Sequence, residues 1–473
     1  MKRLSLLFLL LLYPLMEVAA KIELSPLFSH GMVLQQCSEV KMWGLSDQKS
    51  LSIEASWGAS TTVRVGDDGR WECRLSTPTG SFRQESLRLS DGKEEITLKD
   101  ILIGEVWICS GQSNMYMTLR GYNGQPVEGA FEAALQSRLL ANKVRMVTLP
   151  KEAAEEPQRT FEGRGWETPS PESVWRMSAL AYYFAEALTL ELELPIGIVS
   201  TSWGGSAIEA WMSSEDLREM GYEVEKINSN PKIEERRKCS LLYNGLIAPV
   251  EGYTARGFLW YQGESNRQTA DRYAEQMERM VSFWREQWQA PEMPFYYVQI
   301  APYSYKNSLD LDGVLLMEAQ IDALERIPHS GLVATTDLGM EKCIHPTQKR
   351  EVALRLAALA LKESYGRKLP NEMCYPMQIQ EVKYEQGEAL VTLRNARWGL
   401  TPEGEEVLGF ELAGEDGIFY PAQAEIIKSK PQIKVVSPQV AEPVALRYAF
   451  RNYIPTNLHN TLGQPLLPYR SDR

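Results

Sequence analysis

The stretch Val106-Trp107-Ile108-Cys109-Ser110-Gly111-Gln112-Ser113-Asn114 decides how this chain folds. Four apolar residues read as a short strand covered on both faces, and the small and polar residues that follow read as a turn at its end. Three further segments have the same texture. Ile196 to Ser200 runs into Thr201-Ser202-Trp203-Gly204-Gly205-Ser206, and Phe258 to Tyr261 runs into Gln262-Gly263-Glu264-Ser265-Asn266. Leu332 to Thr335 leads toward Asp337-Leu338-Gly339 and on to His345. Helical stretches lie between them: Met177, Leu180, Ala181, Phe184, Ala185 and Leu188 recur at helical spacing and lay one apolar stripe against a sheet. Strands alternating with helices predict a doubly wound α/β domain over residues 101–366. The strand ends of a parallel sheet share one edge, where open α/β folds bind ligands, so the four segments are expected to build a single site.

On either side of this domain the pattern changes. From 21 to 100, short alternating strands broken by turns, such as Glu39 to Trp43 before Gly44 and Thr61 to Val65 before Gly66-Asp67-Asp68-Gly69, predict a β-sandwich. From 367 to 473 strands return, among them Ala389 to Leu393 and Ala445 to Phe450, giving a C-terminal β-rich region. The first twenty residues read as a signal peptide: Lys2 and Arg3, an apolar run from Leu4 to Met16, and small residues at Val18-Ala19-Ala20. The apolar run is shorter than the ~20 residues of a spanning helix, so the mature chain is expected to be exported without membrane insertion, to a periplasm, a lumen or the exterior.

The 473 residues carry a net charge of -12, and no dense basic block is present, which argues against a nucleic-acid partner. Six cysteines (Cys37, Cys73, Cys109, Cys239, Cys343, Cys374) form neither a disulfide scaffold nor a metal-ligand spacing, although one or two bridges are compatible with export. No metal or cofactor is called for.

An imidazole base must come from four histidines. His30 and His459 lie in the flanking β regions and His329 precedes a strand at the far end of the sheet, which leaves His345. Pro346 after it suits a first helical position, placing His345 at the start of a helix in which Val352, Leu356 and Leu359 share a face. Ser113 is the candidate nucleophile, because Gly111 two residues earlier permits a tight strand-to-helix turn that exposes the hydroxyl and frees its own N–H. Met115 replaces the second glycine of the Gly-x-Ser-x-Gly elbow, so this is not that motif.

The segments Gly111-Gln-Ser-Asn-Met115, Trp203-Gly-Gly-Ser-Ala-Ile-Glu-Ala-Trp211, Trp260-Tyr-Gln-Gly-Glu-Ser-Asn266 and Ile344-His-Pro-Thr-Gln-Lys349 together resemble the sialate O-acetylesterase family of the SGNH hydrolase superfamily. Leu27 to Gln35, Pro443 to Ala449 and Asn457 to Asn460 extend the resemblance over nearly the whole mature chain. It implies an SGNH-type parallel sheet and a serine esterase acting on O-acetylated sugars, sialic acids foremost, with Ser113 as nucleophile and His345 as base. Oxyanion donors are expected from Ser113, Gly204, Gly205 and Gln262, and substrate contacts from Gln112, Asn114, Trp203, Glu264 and Asn266; Asn114, Glu264 and Asn266 read equally well as structural hydrogen-bonding residues, and Trp211 and Trp260, like Trp203, read as core or as faces for a sugar ring, core being the commoner role beside a strand. Relatives often read Asp-Ile-His-Pro where this chain has Cys343-Ile344-His345-Pro346. The residue that orients His345 is therefore expected to be Asp337, with Glu341 or a backbone carbonyl as alternatives. Two competing readings follow: deacetylation of a polysaccharide such as xylan, and a carbohydrate-binding protein that has lost its activity.

Overall fold

One strand joins the N-terminal β region to the central sheet. In the computed structural model, which describes residues 21–305 and 311–473, β1 (Glu95–Gly111) runs without interruption from the N-terminal sandwich into the central sheet. Its first half pairs antiparallel with Ser81–Ser90, and its second half lies between two parallel neighbours. The junction expected at 100–101 falls inside this strand, because every residue from Ile101 to Gly111 is buried and nothing in the run favours a break. The signal peptide expected over 1–20 lies outside the described residues.

The parallel part of the sheet is ordered β2 (Val144–Thr148), β3 (Ile196–Ser202), β1, β4 (Gly257–Tyr261), β5 (Phe295–Val298) and β6 (Ser330–Val333). These strands are buried on both faces, as the unbroken apolar runs require. One face is covered by α2 (Ala179–Leu192) packed on α5 (Lys349–Glu363), and the other by α3 (Ala270–Gln287) packed on α4 (Asp312–Arg326). The helix read from Met177 to Leu188 is α2, started by Ser178, whose hydroxyl accepts the Ala181 N–H. It is buried beyond a single stripe, Tyr182 and Tyr183 included, because α5 seals the side that the periodicity left to solvent.

The N-terminal region pairs a three-stranded sheet (Ile22–Leu24, Glu39–Ser46, Arg70–Ser76) with the strands Ser50–Ala55, Ser60–Arg64 and Ser81–Ser90 that extend β1. The C-terminal region holds two four-stranded antiparallel sheets around its own core of Val391, Leu412, Val435 and Leu446. The fold is thus a mixed α/β sheet flanked by antiparallel β regions, as the sequence implied. All six cysteines are unbridged, and among the described residues no helix is long and apolar enough to cross a membrane.

Candidate active site

β1 ends at Gly111 with φ at 135°, where an added Cβ would stand 2.3 Å from the Tyr261 carbonyl oxygen, so only glycine lets the strand turn there. The next residues form a short helical turn, α1 (Ser113–Tyr116), and Ser113 is half-buried at its first position. The Ser113 Oγ lies 2.9 Å from His345 Nε2, across 232 residues of chain. On the far side of the ring, His345 Nδ1 lies 2.6 Å from Gln125 Oε1. A carbonyl oxygen only accepts, so Nδ1 carries the ring proton and Nε2 offers its lone pair to the Ser113 hydroxyl. Burial, with the charge of Lys349 second, lowers His345 to about 4, which keeps the imidazole neutral at neutral pH. The Tyr122 ring flanks the imidazole at 4.8 Å between centroids, and its hydroxyl donates to the Ser113 carbonyl at 3.0 Å.

β3 delivers the second wall. Trp203 N–H donates to Gly111 O at 2.9 Å, and Gly204 then passes so close to the serine that an added Cβ would stand 3.3 Å from Ser113 Cβ. Among the described residues neither the Ser113 N–H nor the Gly204 N–H has a protein acceptor, so both remain available to negative charge developing beside the serine. Gly205 turns toward Arg236, whose Nε would stand 3.1 Å from a Cβ at that position, and its carbonyl accepts from Arg237 Nε at 3.3 Å.

Residues 103–362, which hold all four strand-end segments, match the family described as carbohydrate esterase, sialic acid-specific acetylesterase. The chain belongs to this family. The sialate O-acetylesterase of Rattus norvegicus is 29% identical over 402 residues, which cover 71% of this chain and 72% of the relative. That of Homo sapiens is 31% identical over 338 residues, covering 65% and 63%. A crystal structure of a carbohydrate acetylesterase from Xanthomonas citri superposes with a TM-score of 0.85 at 30% identity, covering 96% of this chain and 100% of the other. The resemblance drawn from the motifs is thereby shown.

Several side chains expected in the site of this carbohydrate esterase stand elsewhere. Asp337 does not reach His345: its carboxylate accepts from Arg355 at 2.8 and 2.7 Å and from His459 Nε2 at 3.0 Å, tying β6 and α5 to the C-terminal region. Glu341 is exposed and is not the partner of Nδ1 either; Gln125 is. Gln262 is not free to serve an oxyanion, because both protons of its buried amide are engaged, by Ser206 O at 3.0 Å and Asn266 Oδ1 at 2.8 Å. Asn266 itself binds the Ile208 N–H and donates to Glu209. Asn114 and Glu264 are buried against each other, and Gln112, 3% exposed, accepts the Gly263 N–H at 3.4 Å. These polar residues brace the loops from beneath rather than facing a ligand. Trp211 and Trp260 are fully buried and meet edge to face at 5.7 Å, so they are core; Trp203 alone is half-exposed.

Sequence reasoning missed Gln125, Arg236 and Lys349. Gln125 closes a tight turn through Asn123-Gly124, in which Tyr122 and Gln125 exchange both backbone hydrogen bonds at 3.0 Å. An Asn-Gly pair is a legible turn signal, but nothing in it says which distant ring the turn will meet. The helix after His345 starts at Lys349 rather than at Pro346: Thr347 O accepts both the Glu128 and the Lys349 N–H, and Gln348, between Thr347 and Lys349, turns tightly with φ -81° and ψ 57° instead of joining the helix. Among the described residues no group of three His, Cys, Asp or Glu side chains is placed to hold a metal ion.

Proposed function

We propose that this esterase removes O-acetyl groups from sialic acids through an acetyl-enzyme on Ser113. The observation that carries the reading is the 2.9 Å contact between Ser113 Oγ and a His345 Nε2 whose other nitrogen is already protonated and held. The hydroxyl attacks the acetyl carbonyl as His345 accepts its proton, and the N–H groups of Ser113 and Gly204 stabilise the oxyanion. His345 then returns the proton to the departing sugar oxygen, and water repeats the cycle on the acyl-serine. The missing aspartate that favoured a binding-only protein has its place beside Nδ1 filled by Gln125.

What supports a sialate over an uncharged polysaccharide is the flank of the site. Arg236, about a third exposed, borders Gly205 one residue beyond Gly204; its Nε and Nη2 are bound to Glu234, and among the described residues its Nη1 has no partner. A guanidinium there suits the carboxylate of a sialic acid and offers nothing comparable to xylan. Acetate release should be measured in parallel on O-acetylated sialic acid and acetylated xylan. Preference for the sialate is expected, with Arg236→Gln raising its KM roughly tenfold, the value of one charged hydrogen bond, and leaving a neutral acetyl ester unaffected. Release from xylan alone would overturn the substrate while sparing the chemistry.

Two further outcomes follow from the ring's surroundings. With His345 held at about 4, the acid limb of kcat/KM should fall near that pH, because only the neutral imidazole accepts the serine proton, and the profile should be flat above it until the range near 7 in which Lys349 loses its proton. An acid limb near 6 to 7, the range of an unperturbed histidine at about 6.5, would contradict the buried neutral base. Gln125→Ala leaves the Nδ1 proton without its acceptor, which costs about 1 to 3 kcal/mol and should lower kcat roughly 10- to 100-fold with KM little changed.

A further inference from the structure

Behind the serine and the histidine lies a buried chain of charge that the reaction does not use directly. Lys349, the first residue of α5, is fully buried, and its Nζ donates to Asn114 Oδ1 at 2.6 Å. Asn114, next to the nucleophile and equally buried, donates from Nδ2 to Glu264 Oε1 at 2.6 Å and to the carbonyl of Ile344, next to the base, at 3.2 Å. One amide therefore clips together the Ser113 turn, the end of β4 and the His345 loop. Among the described residues the second Glu264 oxygen has no partner, nor has the buried hydroxyl of Tyr261, whose ring centroid lies 5.8 Å from Lys349 Nζ.

Burying an ammonium and a carboxylate without water is costly, and hydrophobic side chains would fill the same space at less expense to stability. We propose that Lys349, Asn114 and Glu264 form a positioning unit that fixes the distance between the nucleophile's turn and the base's loop, and that Lys349 holds it closed. Asparagine is needed at the centre because its amide accepts on one side while donating twice on the other; an aspartate could only accept. The unit also acts on His345 through space. Lys349 faces Glu264 from the end of β4, Tyr261 from within it, and Cys343 and His345 from the loop preceding α5, while Arg267 and Tyr305 stand near Glu264. Burial lowers the lysine to about 7, against the raising influence of Glu264 and Cys343, and its positive charge in turn disfavours protonation of His345.

This inference rests on the Ser113–His345 reading, and the experiment separates the two. Lys349→Met keeps the stem and removes the charge and its hydrogen bond. It should lower kcat roughly 10- to 100-fold, as a misplacement of about an ångström does, with KM within about threefold. The acid limb of kcat/KM should move up by roughly half a pH unit or more as the neighbouring cation is lost. Glu264 supplies a second arm should that variant not fold. Glu264→Gln keeps an acceptor for the Asn114 amide and Glu264→Ala does not, so the glutamine variant should retain roughly tenfold more kcat than the alanine one, the value of one such hydrogen bond to a buried donor. Folded Lys349→Met with wild-type kcat and an unmoved acid limb, or equal kcat in the two Glu264 variants, would overturn the positioning role. Turnover surviving in Ser113→Ala would instead overturn the reading beneath it.

Discussion

Replacing Ser113 with alanine should reduce kcat for an acetyl ester by roughly ten-thousandfold or more, the scale of loss when a nucleophile that works as a unit with its base is removed. The expectation follows from the wiring of the site. Among the described residues the Ser113 hydroxyl has one partner, His345 Nε2, and no second serine or threonine hydroxyl is hydrogen-bonded to that ring. Once the hydroxyl is gone, the imidazole can only assist water, and the free backbone N–H groups at positions 113 and 204 polarise an ester that nothing attacks covalently. Because the lost oxygen makes a single, half-buried contact, unfolding stability should change by no more than about 1 kcal/mol. Steady-state kinetics beside a thermal melt checks both halves. Wild-type turnover by the alanine variant would end the serine mechanism, and a collapse in stability would leave the loss of rate unexplained by chemistry.

Asp337→Asn should have the opposite character: a large loss of stability with little change in the chemistry. Its carboxylate meets Arg355 through both oxygens, and the two side chains are only 8% and 4% exposed. Removing one charge from such a pair strands the other in the interior, at a cost of about 3 to 5 kcal/mol. Arg355 keeps the carbonyls of Ala334 and Gly463 and the Glu351 carboxylate 3.5 Å from its Nε, which places the expected cost toward the lower end of that range. The pH dependence has a definite sign. Burial works to raise the Asp337 carboxyl, but Arg355 and His459 outweigh it and hold the group at about 2, below its unfolded value of about 3.9. The stabilisation is therefore complete above about pH 4 and fades as the pH falls toward 2, so the gap between wild type and variant should close over that window. Denaturant melts at several pH values measure this. A kcat loss of a hundredfold or more in the folded variant would return Asp337 to the neighbourhood of His345.

Ser113 and His345 were legible because chemistry narrows the choice. Four histidines and one rule about strand edges leave a single base, and a glycine at 111 marks the turn that exposes a hydroxyl. The segments that follow β1, β3 and β4 do converge, since these strands run parallel in register with Ser202 and Tyr261 both opposite Gly111, and the loop after β6 brings His345 Nε2 to 2.9 Å from Ser113 Oγ. Asp337 was misplaced because nearness along the chain stood in for nearness in space. A turn in which Met340 bridges Cys343 intervenes, and the aspartate instead faces α5 and the C-terminal region. Gln125 was hidden for the converse reason, lying 220 residues from the ring it holds.

The polar residues at the strand ends teach a related lesson. Asn114, Gln262, Glu264 and Asn266 look like ligand contacts in sequence because polar groups at the edge of a parallel sheet so often are. Yet loops that cross a closed edge leave many buried donors and acceptors to be matched, and these side chains match one another. A single sequence shows the polar residues and not the partners, so it cannot separate those that face the substrate from those that brace the wall.

Covalent acetyl transfer to one hydroxyl is the step on which the proposed chemistry depends, and an active-site organophosphonate reports on it directly. One equivalent should bind the folded enzyme and silence it, with the label mapped to the peptide containing Ser113, slowed by an acetylated sugar and lost in His345→Ala. A label recovered on any other residue, or turnover that persists after Ser113 is fully modified, would contradict it.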